Sequence, residues 1–338
     1  MQNDLNKIFV TVYTTVFNGG LYLKETIQSI LNQTHQNFEY LIVNDGSTDN
    51  TEAIIKGFND CRIIYHKLEE NIGNRKAANF AIDLAKGKYL FRMDADDLSV
   101  TKRLQESIEF LETHPDIGLF GGQLALFGNE TGIWNYPTTE DDIKFKRLFG
   151  TPVAQPVSAI RLDVLNTNKL RYNVDGLSYA EDLEFFNRIL NYTKPANSNN
   201  ILLKYRRHPQ NITRILKHKG RELNTPVFKL ILRNFSLDNL TDADIRIHLL
   251  LSKRFMHDFT VNDITQIKTW CSFLKMQNRK IHYMHTSQFD LRIDKMWDSL
   301  YYVCKNKNHA TLKEYIKKSD KKKTMLWLRF LKEKIIKR

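Results

Sequence analysis

Tyr89-Leu90-Phe91-Arg92-Met93-Asp94-Ala95-Asp96-Asp97 runs from an apolar, strand-like segment straight into three carboxylates. At the carboxyl end of a strand such a cluster either faces open water or holds a cation. Asp94 and Asp96 fall on one side of an extended backbone, so both reach a single hard ion. Mg²⁺ and Mn²⁺ prefer oxygen ligands and share them with phosphate-bearing substrates, which points to a nucleotide diphosphate. The plainer alternative is a solvated acidic turn before a helix, with Asp97 or Ser99 as its cap. The segments on either side favour the cation.

Working back towards the N-terminus, residues 7–120 alternate between strand and helix patterns. Ile8–Val12, Phe38–Val43, Arg62–His66 and Tyr89–Met93 are apolar or β-rich runs. Between them, Tyr22–Leu31, Thr51–Phe58 and Arg75–Ala85 have helical spacing, and Lys86-Gly87 closes the last of these. This rhythm predicts an α/β fold with a mostly parallel sheet and helices on both faces. Ligands on such sheets sit at the carboxyl ends of the strands. Asn18, Asp45 and Asp94 each follow a predicted strand, so they are expected to line one crevice. After about residue 120 the pattern becomes irregular, with Gly121-Gly122, Gly128, Gly132, Pro137, Pro152 and Pro156 marking loops. Residues 179–191 read as helix again, and from about 221 helical patterns dominate. The expected division is 1–220 for a catalytic domain and 221–338 for a helical C-terminal region.

Five further segments carry candidate chemistry. Thr14-Thr15-Val16-Phe17-Asn18 puts an aromatic ring and an amide at a strand end, where Thr15, Phe17 and Asn18 suit a base and ribose, or simply form a turn. In Asn44-Asp45-Gly46-Ser47-Thr48-Asp49, Asp45 suits a base N–H, and the later residues suit helix capping. Asn71-Ile72-Gly73-Asn74-Arg75-Lys76 places a glycine loop at a helix start, where free N–H groups favour anions; Asn71, Arg75 and Lys76 are diphosphate candidates, or else a solvated basic turn. Glu181 and Asp182 open a helix, as dipole complements or as a general base for a sugar hydroxyl. Tyr205-Arg206-Arg207-His208 offers His208 to a metal or diphosphate and Arg206 to phosphate charge. His282 and His285, by contrast, read as structural.

Taken together, these segments resemble the family 2 glycosyltransferases over roughly residues 7–215. The matching stretches are Leu23–Thr34, Val43–Asp49, Asn71–Asn79, Asp94–Asp97, Glu181-Asp182 and Tyr205–His208, in that order. The resemblance implies a Rossmann-like GT-A fold and an inverting, metal-dependent sugar transfer from a nucleotide diphosphate sugar, with UDP expected. Asp45 would then contact the base, and Asp94 with Ala95 the ribose or metal. Asp96 would be the principal ligand of Mn²⁺ or Mg²⁺, supported by Asp97. Asp182 would be the catalytic base, with Glu181 as the other candidate, and His208 would close over the diphosphate. Two positions depart from the family pattern: Thr15 stands where proline is usual, and Gln155-Pro156 where His-Pro is usual. A nucleotidyltransferase also uses paired carboxylates, but Thr11–Gly20 lacks its basic glycine-rich signature. A catalytically inactive scaffold is the other competing reading.

Composition narrows the setting. A hydrophobic content of 42% and a charged content of 26% suit a packed globular chain rather than a disordered one. The three cysteines, Cys61, Cys271 and Cys304, are too scattered for a zinc site or a disulfide framework, so a cytoplasmic, reducing setting is expected. The net charge of +13 is concentrated at one end: residues 301–338 hold thirteen Lys or Arg against three acids, a net of +10. The near-neutral remainder argues against nucleic-acid binding. Met325-Leu326-Trp327-Leu328-Arg329-Phe330-Leu331 between lysines suits a helix lying in a membrane interface, and so peripheral binding at the inner membrane surface and a lipid-linked glycan acceptor. Residues 221–320 are a candidate homo-oligomer interface.

Overall fold

In the β-strand β1 (Val10–Val16), successive side chains point to opposite faces, and each face finds its own core. Val10, Val12 and Val16 join one apolar cluster, and Tyr13 joins another. The neighbouring strands β2 (Phe38–Asn44) and β4 (Tyr89–Arg92) split in the same way, with Tyr40, Ile42 and Phe91 on one face and Leu41, Val43 and Leu90 on the other. Helices α2 (Leu23–Leu31) and α5 (Arg103–Thr113) cover the first face through Leu23, Ile27, Ile30, Leu104, Ile108 and Leu111. Helices α4 (Asn74–Leu84), α7 (Leu162–Thr167) and α8 (Glu181–Ile189) cover the second through Ala77, Ala81, Leu165, Phe185 and Phe186. The chain is thus an α/β fold with helices on both faces, and the computed structural model describes residues 2–174, 180–211, 220–253 and 256–319. These divide into two units, Met1–Lys217 and His218–Arg338.

The sheet of the first unit runs β3-β2-β1-β4-β8-β6-β9-β5, with β7 paired to β6. β3 (Ile63–Lys67), β2, β1 and β4 are parallel, as the alternating pattern requires. Beyond β4 the sheet is mixed. β8 (Ala159–Arg161) is antiparallel to both β4 and β6, and β5 (Leu98–Ser99) is antiparallel to β9. The two longest strands, β6 (Ile117–Gly128) and β9 (Lys194–Arg207), pair in parallel. Both lie where the sequence pattern is irregular. Gly121 and Gly122, which read as loop markers, sit inside β6. A side chain at Gly121 would meet Val153 Cγ1 at 2.6 Å, and one at Gly122 would meet Leu202 at 2.8 Å, so these glycines mark close packing. β7 (Gly132–Trp134), α6 (Glu140–Phe149) and the short helices α1 (Gln2–Leu5) and α3 (Thr51–Lys56) complete the unit.

The second unit is helical: α9 (Gly220–Arg233), α10 (Asp242–Leu251), α11 (Val261–Ile281), α12 (Thr286–Lys307) and α13 (His309–Lys318). Phe228, Phe235, Leu249, Leu274, Phe289, Ile293, Trp297 and Tyr315 are buried in it. His282 is the left-handed C-cap of α11 (φ 52°), and His285 is the N-cap of α12, in keeping with structural roles. No helix among the described residues is long and apolar enough to cross a membrane. The lysine-flanked Met325–Leu331 segment, Tyr179 and Thr213 lie outside the described residues.

Candidate active site

β2, β1 and β4 are adjacent, so the loops after Asn44, Val16 and Arg92 open on one edge of the sheet. Asp45 N–H donates to Val16 O at 2.8 Å, which ties the first two ends together. Asn18 takes a left-handed backbone (φ 51°) and accepts the Thr48 N–H at 2.9 Å, while its own N–H donates to Ser47 Oγ at 2.9 Å. Phe17 beside it is half exposed, at 49%, so a ring stands free at the mouth of the crevice. The Asp45 carboxylate is buried and grips the next loop: Oδ1 accepts from Ile72 N–H at 2.8 Å and Oδ2 from Gly73 N–H at 3.0 Å. Each carboxylate oxygen keeps a second lone pair, so these bonds leave room for a base N–H. Gly46 makes this approach possible: its φ is +71°, and a side chain there would meet Asn71 N at 2.6 Å.

Asn71 Oδ1 closes the glycine loop onto Gly73 N–H at 3.0 Å, and Lys76 is exposed on the first turn of α4. Arg75 reaches across that turn, donating from Nη1 to Asn173 O at 2.7 Å and lying 3.9 Å from Glu181 Oε2. Asn74 donates from Nδ2 to Glu181 Oε1 at 2.6 Å. Burial pushes the Glu181 carboxyl above the usual range, against the pull of Arg92 and Asn74. Asp182, partly exposed, follows at the first turn of α8, with Oδ1 accepting Leu183 N–H at 2.8 Å.

The acidic turn divides its three carboxylates among different partners. Asp94 Oδ1 accepts from Arg92 Nε at 2.9 Å. Asp96 Oδ2 meets His208 Nε2 at 2.8 Å. Asp97 is fully enclosed, with Oδ1 accepting the Arg206 N–H at 2.8 Å and Oδ2 lacking a partner among the described residues. Ala95 carries its role in the backbone, its carbonyl accepting from Thr26 Oγ1 at 3.0 Å. Arg206 locks the far side of the turn: Nε donates to Asp96 O at 2.8 Å and Nη2 to Glu25 at 2.6 Å, and the guanidinium lies over the rings of Tyr22 and Phe127 at 4.4 and 4.5 Å. Thr15, Phe17, Asn18, Asp45, Asn71, Asp94, Asp96, Arg206 and His208 therefore belong to the loops and strand ends of this cleft, with Arg75 on the first turn of α4 and Asp97 buried beneath the turn.

Burial first, and Asp94 second, push the Asp96 carboxyl above the usual range. The crowded acidic pair suits a cation, whose charge removes that penalty. No group of three or more Asp, Glu, His or Cys side chains among the described residues is arranged to hold an ion. An ion shared with a substrate diphosphate needs only one or two protein carboxylates, and this donor set fits that arrangement.

Sequence reasoning missed three residues of this region. Arg92 is a charged residue in an otherwise apolar strand, and that misfit is the signal it offers. Arg103, fully buried below the turn, donates to Arg92 O at 2.6 Å, and its pKa is lowered to about 10 by burial. Asn74 follows the glycine loop and carries no signal of its own.

Comparison with known proteins places the chain in a sugar-transferase class of enzymes. The model of the family described as "Glycosyl transferase family 2" matches residues 11–167. An uncharacterized glycosyltransferase of Haemophilus influenzae is 32% identical over 228 residues, 63% of this chain and 70% of that protein. The UDP-Glc:alpha-D-GlcNAc-diphosphoundecaprenol beta-1,3-glucosyltransferase WfaP of Escherichia coli is 38% identical over 104 residues, 31% of this chain and 41% of that one. Among solved structures, Staphylococcus aureus TarS 1–349 in complex with UDP-GlcNAc superposes with a TM-score of 0.59 at 18% identity, covering 91% of this chain and 89% of that one. The chain belongs to the family 2 glycosyltransferases.

Proposed function

We propose that this chain is an inverting glycosyltransferase that moves a sugar from a nucleotide diphosphate sugar, with UDP as the nucleotide, to a saccharide or lipid-linked saccharide. The observation that carries this reading is the convergence of Asp45, Asp94, Asp96, Arg206 and His208 at the strand ends of one cleft. The UDP-GlcNAc held by TarS and the UDP-Glc named for WfaP support UDP. In this reading Asp45 and Asn18 receive the base and ribose, with Phe17 beside them. Asp96 and Asp94, with His208, would hold Mn²⁺ or Mg²⁺, which when bound would supply charge neutralisation for the leaving nucleotide. Asp182 takes the proton of the acceptor hydroxyl; that oxygen bonds the anomeric carbon as the bond to the diphosphate breaks, and the configuration inverts. Glu181 is less suited to that task, because Asn74 already occupies Oε1.

A thermal-shift panel of UDP, GDP, CDP and dTDP, each with and without Mn²⁺, tests the donor reading. Stabilisation by UDP alone, and only with metal, is expected. A preference for another nucleotide overturns the base assignment, and no shift with any of them overturns the donor site. We further propose that residues 1–220 carry this chemistry and that the basic segment 318–338 binds anionic membranes. Liposome co-sedimentation with and without 318–338 tests the second point; equal binding by the two proteins ends it.

A further inference from the structure

Side chains from four separate stretches of the chain form one hydrogen-bonded line across the cleft. Arg92, in β4 and only 5% exposed, donates from Nε to Asp94 Oδ1 at 2.9 Å and from Nη2 to Asn74 Oδ1 at 3.3 Å. Thr15, in β1, donates from Oγ1 to the same Asn74 Oδ1 at 2.7 Å. Asn74 then donates from Nδ2 to Glu181 Oε1 at 2.6 Å, joining residues 107 positions apart. A primary amide suits this place because it offers an acceptor and a donor within one short, planar group. An aspartate here would set a second carboxylate against Glu181. An apolar residue would take a partner from the buried Arg92, the half-buried Thr15 and one Glu181 oxygen.

We propose that Asn74 is a positioning residue. It ties Glu181, and with it the first turn of α8 that carries Asp182, to the Arg92–Asp94 pair beside the diphosphate site. The general base and the Arg92–Asp94 pair come from stretches of the first unit that are far apart in sequence. Asn74 fixes their spacing through its bonds to Thr15, Arg92 and Glu181. The assignment rests on the transfer reading above. Its effect belongs on turnover rather than on donor capture, since a misplacement of about 1 Å costs about a hundredfold in rate.

A double-mutant cycle on the full-length protein tests this, using Asn74→Ala, Glu181→Ala and the pair, with kcat and donor KM measured for each. The expected result for Asn74→Ala is a fall in kcat of about ten- to a hundredfold with donor KM within about threefold. The double variant is expected to be no slower than the slower single variant, because the two residues act as one unit. Asn74→Asp keeps the shape and the Thr15 and Arg92 contacts but makes the Glu181 contact repulsive, and it is expected to lose at least as much. It also serves if the alanine variant does not fold. Additive losses, an effect on KM alone, unchanged kcat, or failure of both Asn74 variants to fold overturns the proposal. A wild-type protein that transfers no sugar fails the transfer reading itself, and the positioning role falls with it.

Discussion

The three carboxylates of the acidic turn sit in different surroundings, and their variants should behave differently. Asp96→Asn is expected to weaken Mn²⁺-dependent UDP binding; calorimetry that finds the same metal dependence in both proteins removes Asp96 from the site. Asp97 is a stability question instead. Burial, then Asp96 and Asp94, hold its carboxyl well above the usual range. In the unfolded chain it ionises near pH ~4. Between that pH and the raised folded value, the folded state keeps a proton that the unfolded state has lost. Stability therefore falls as pH rises through that window. Melting curves from about pH 4 upward should show a steeper decline for wild type than for Asp97→Asn, and parallel curves would contradict the assignment. Asp182→Asn should bind UDP as wild type does and transfer no sugar; retained turnover excludes Asp182 as the base.

At the scale of elements, Asp263 does two jobs at the start of α11. Its Oδ2 accepts from Thr260 N–H at 2.7 Å and Thr260 Oγ1 at 2.9 Å, and its carboxylate pairs with the Arg246 guanidinium on α10. Burial would raise its pKa, but the Arg246 and Thr260 bonds prevail and hold it low. Asp263→Ala removes the nearer carboxylate of a partly buried guanidinium, which keeps only Asp258, and is expected to cost about 3 kcal/mol. Thr241→Ala removes only the cap of α10, at about 1 kcal/mol. Urea melts of the two variants check the order. The helices and parallel strands up to β4 were legible in the sequence because each carries a full period of apolar residues between clear turns. β6 and β9 were not, since their glycines serve close packing and β9 is broken by Pro195 and a polar Asn197-Ser198-Asn199-Asn200 run. In the same way, residues that stand out by chemistry, such as Asp94, Asp96 and His208, offer themselves as candidates from the sequence. Asn74 does not, because its value lies in what surrounds it.

The whole molecule keeps its thiols apart in environment. Cys61 in the first unit is exposed, while Cys271 and Cys304 in the second are buried, and burial pushes both of their pKa values up to about 12. A maleimide at neutral pH is expected to label Cys61 alone in the native protein and all three cysteines after denaturation; mass spectrometry of the labelled peptides reads the difference. The pairing of β6 with β9, from Ile117↔Lys194 to Gly128↔Arg207, has a consequence during synthesis. Parallel strands so far apart in the chain close a long loop, which is slow. Asp94, Asp96 and Asp97 leave the ribosome more than a hundred residues before Arg206 and His208. A nascent chain that has not reached residue 208 thus carries an acidic loop without its basic counterpart, and the cleft is completed only near the end of its unit's synthesis.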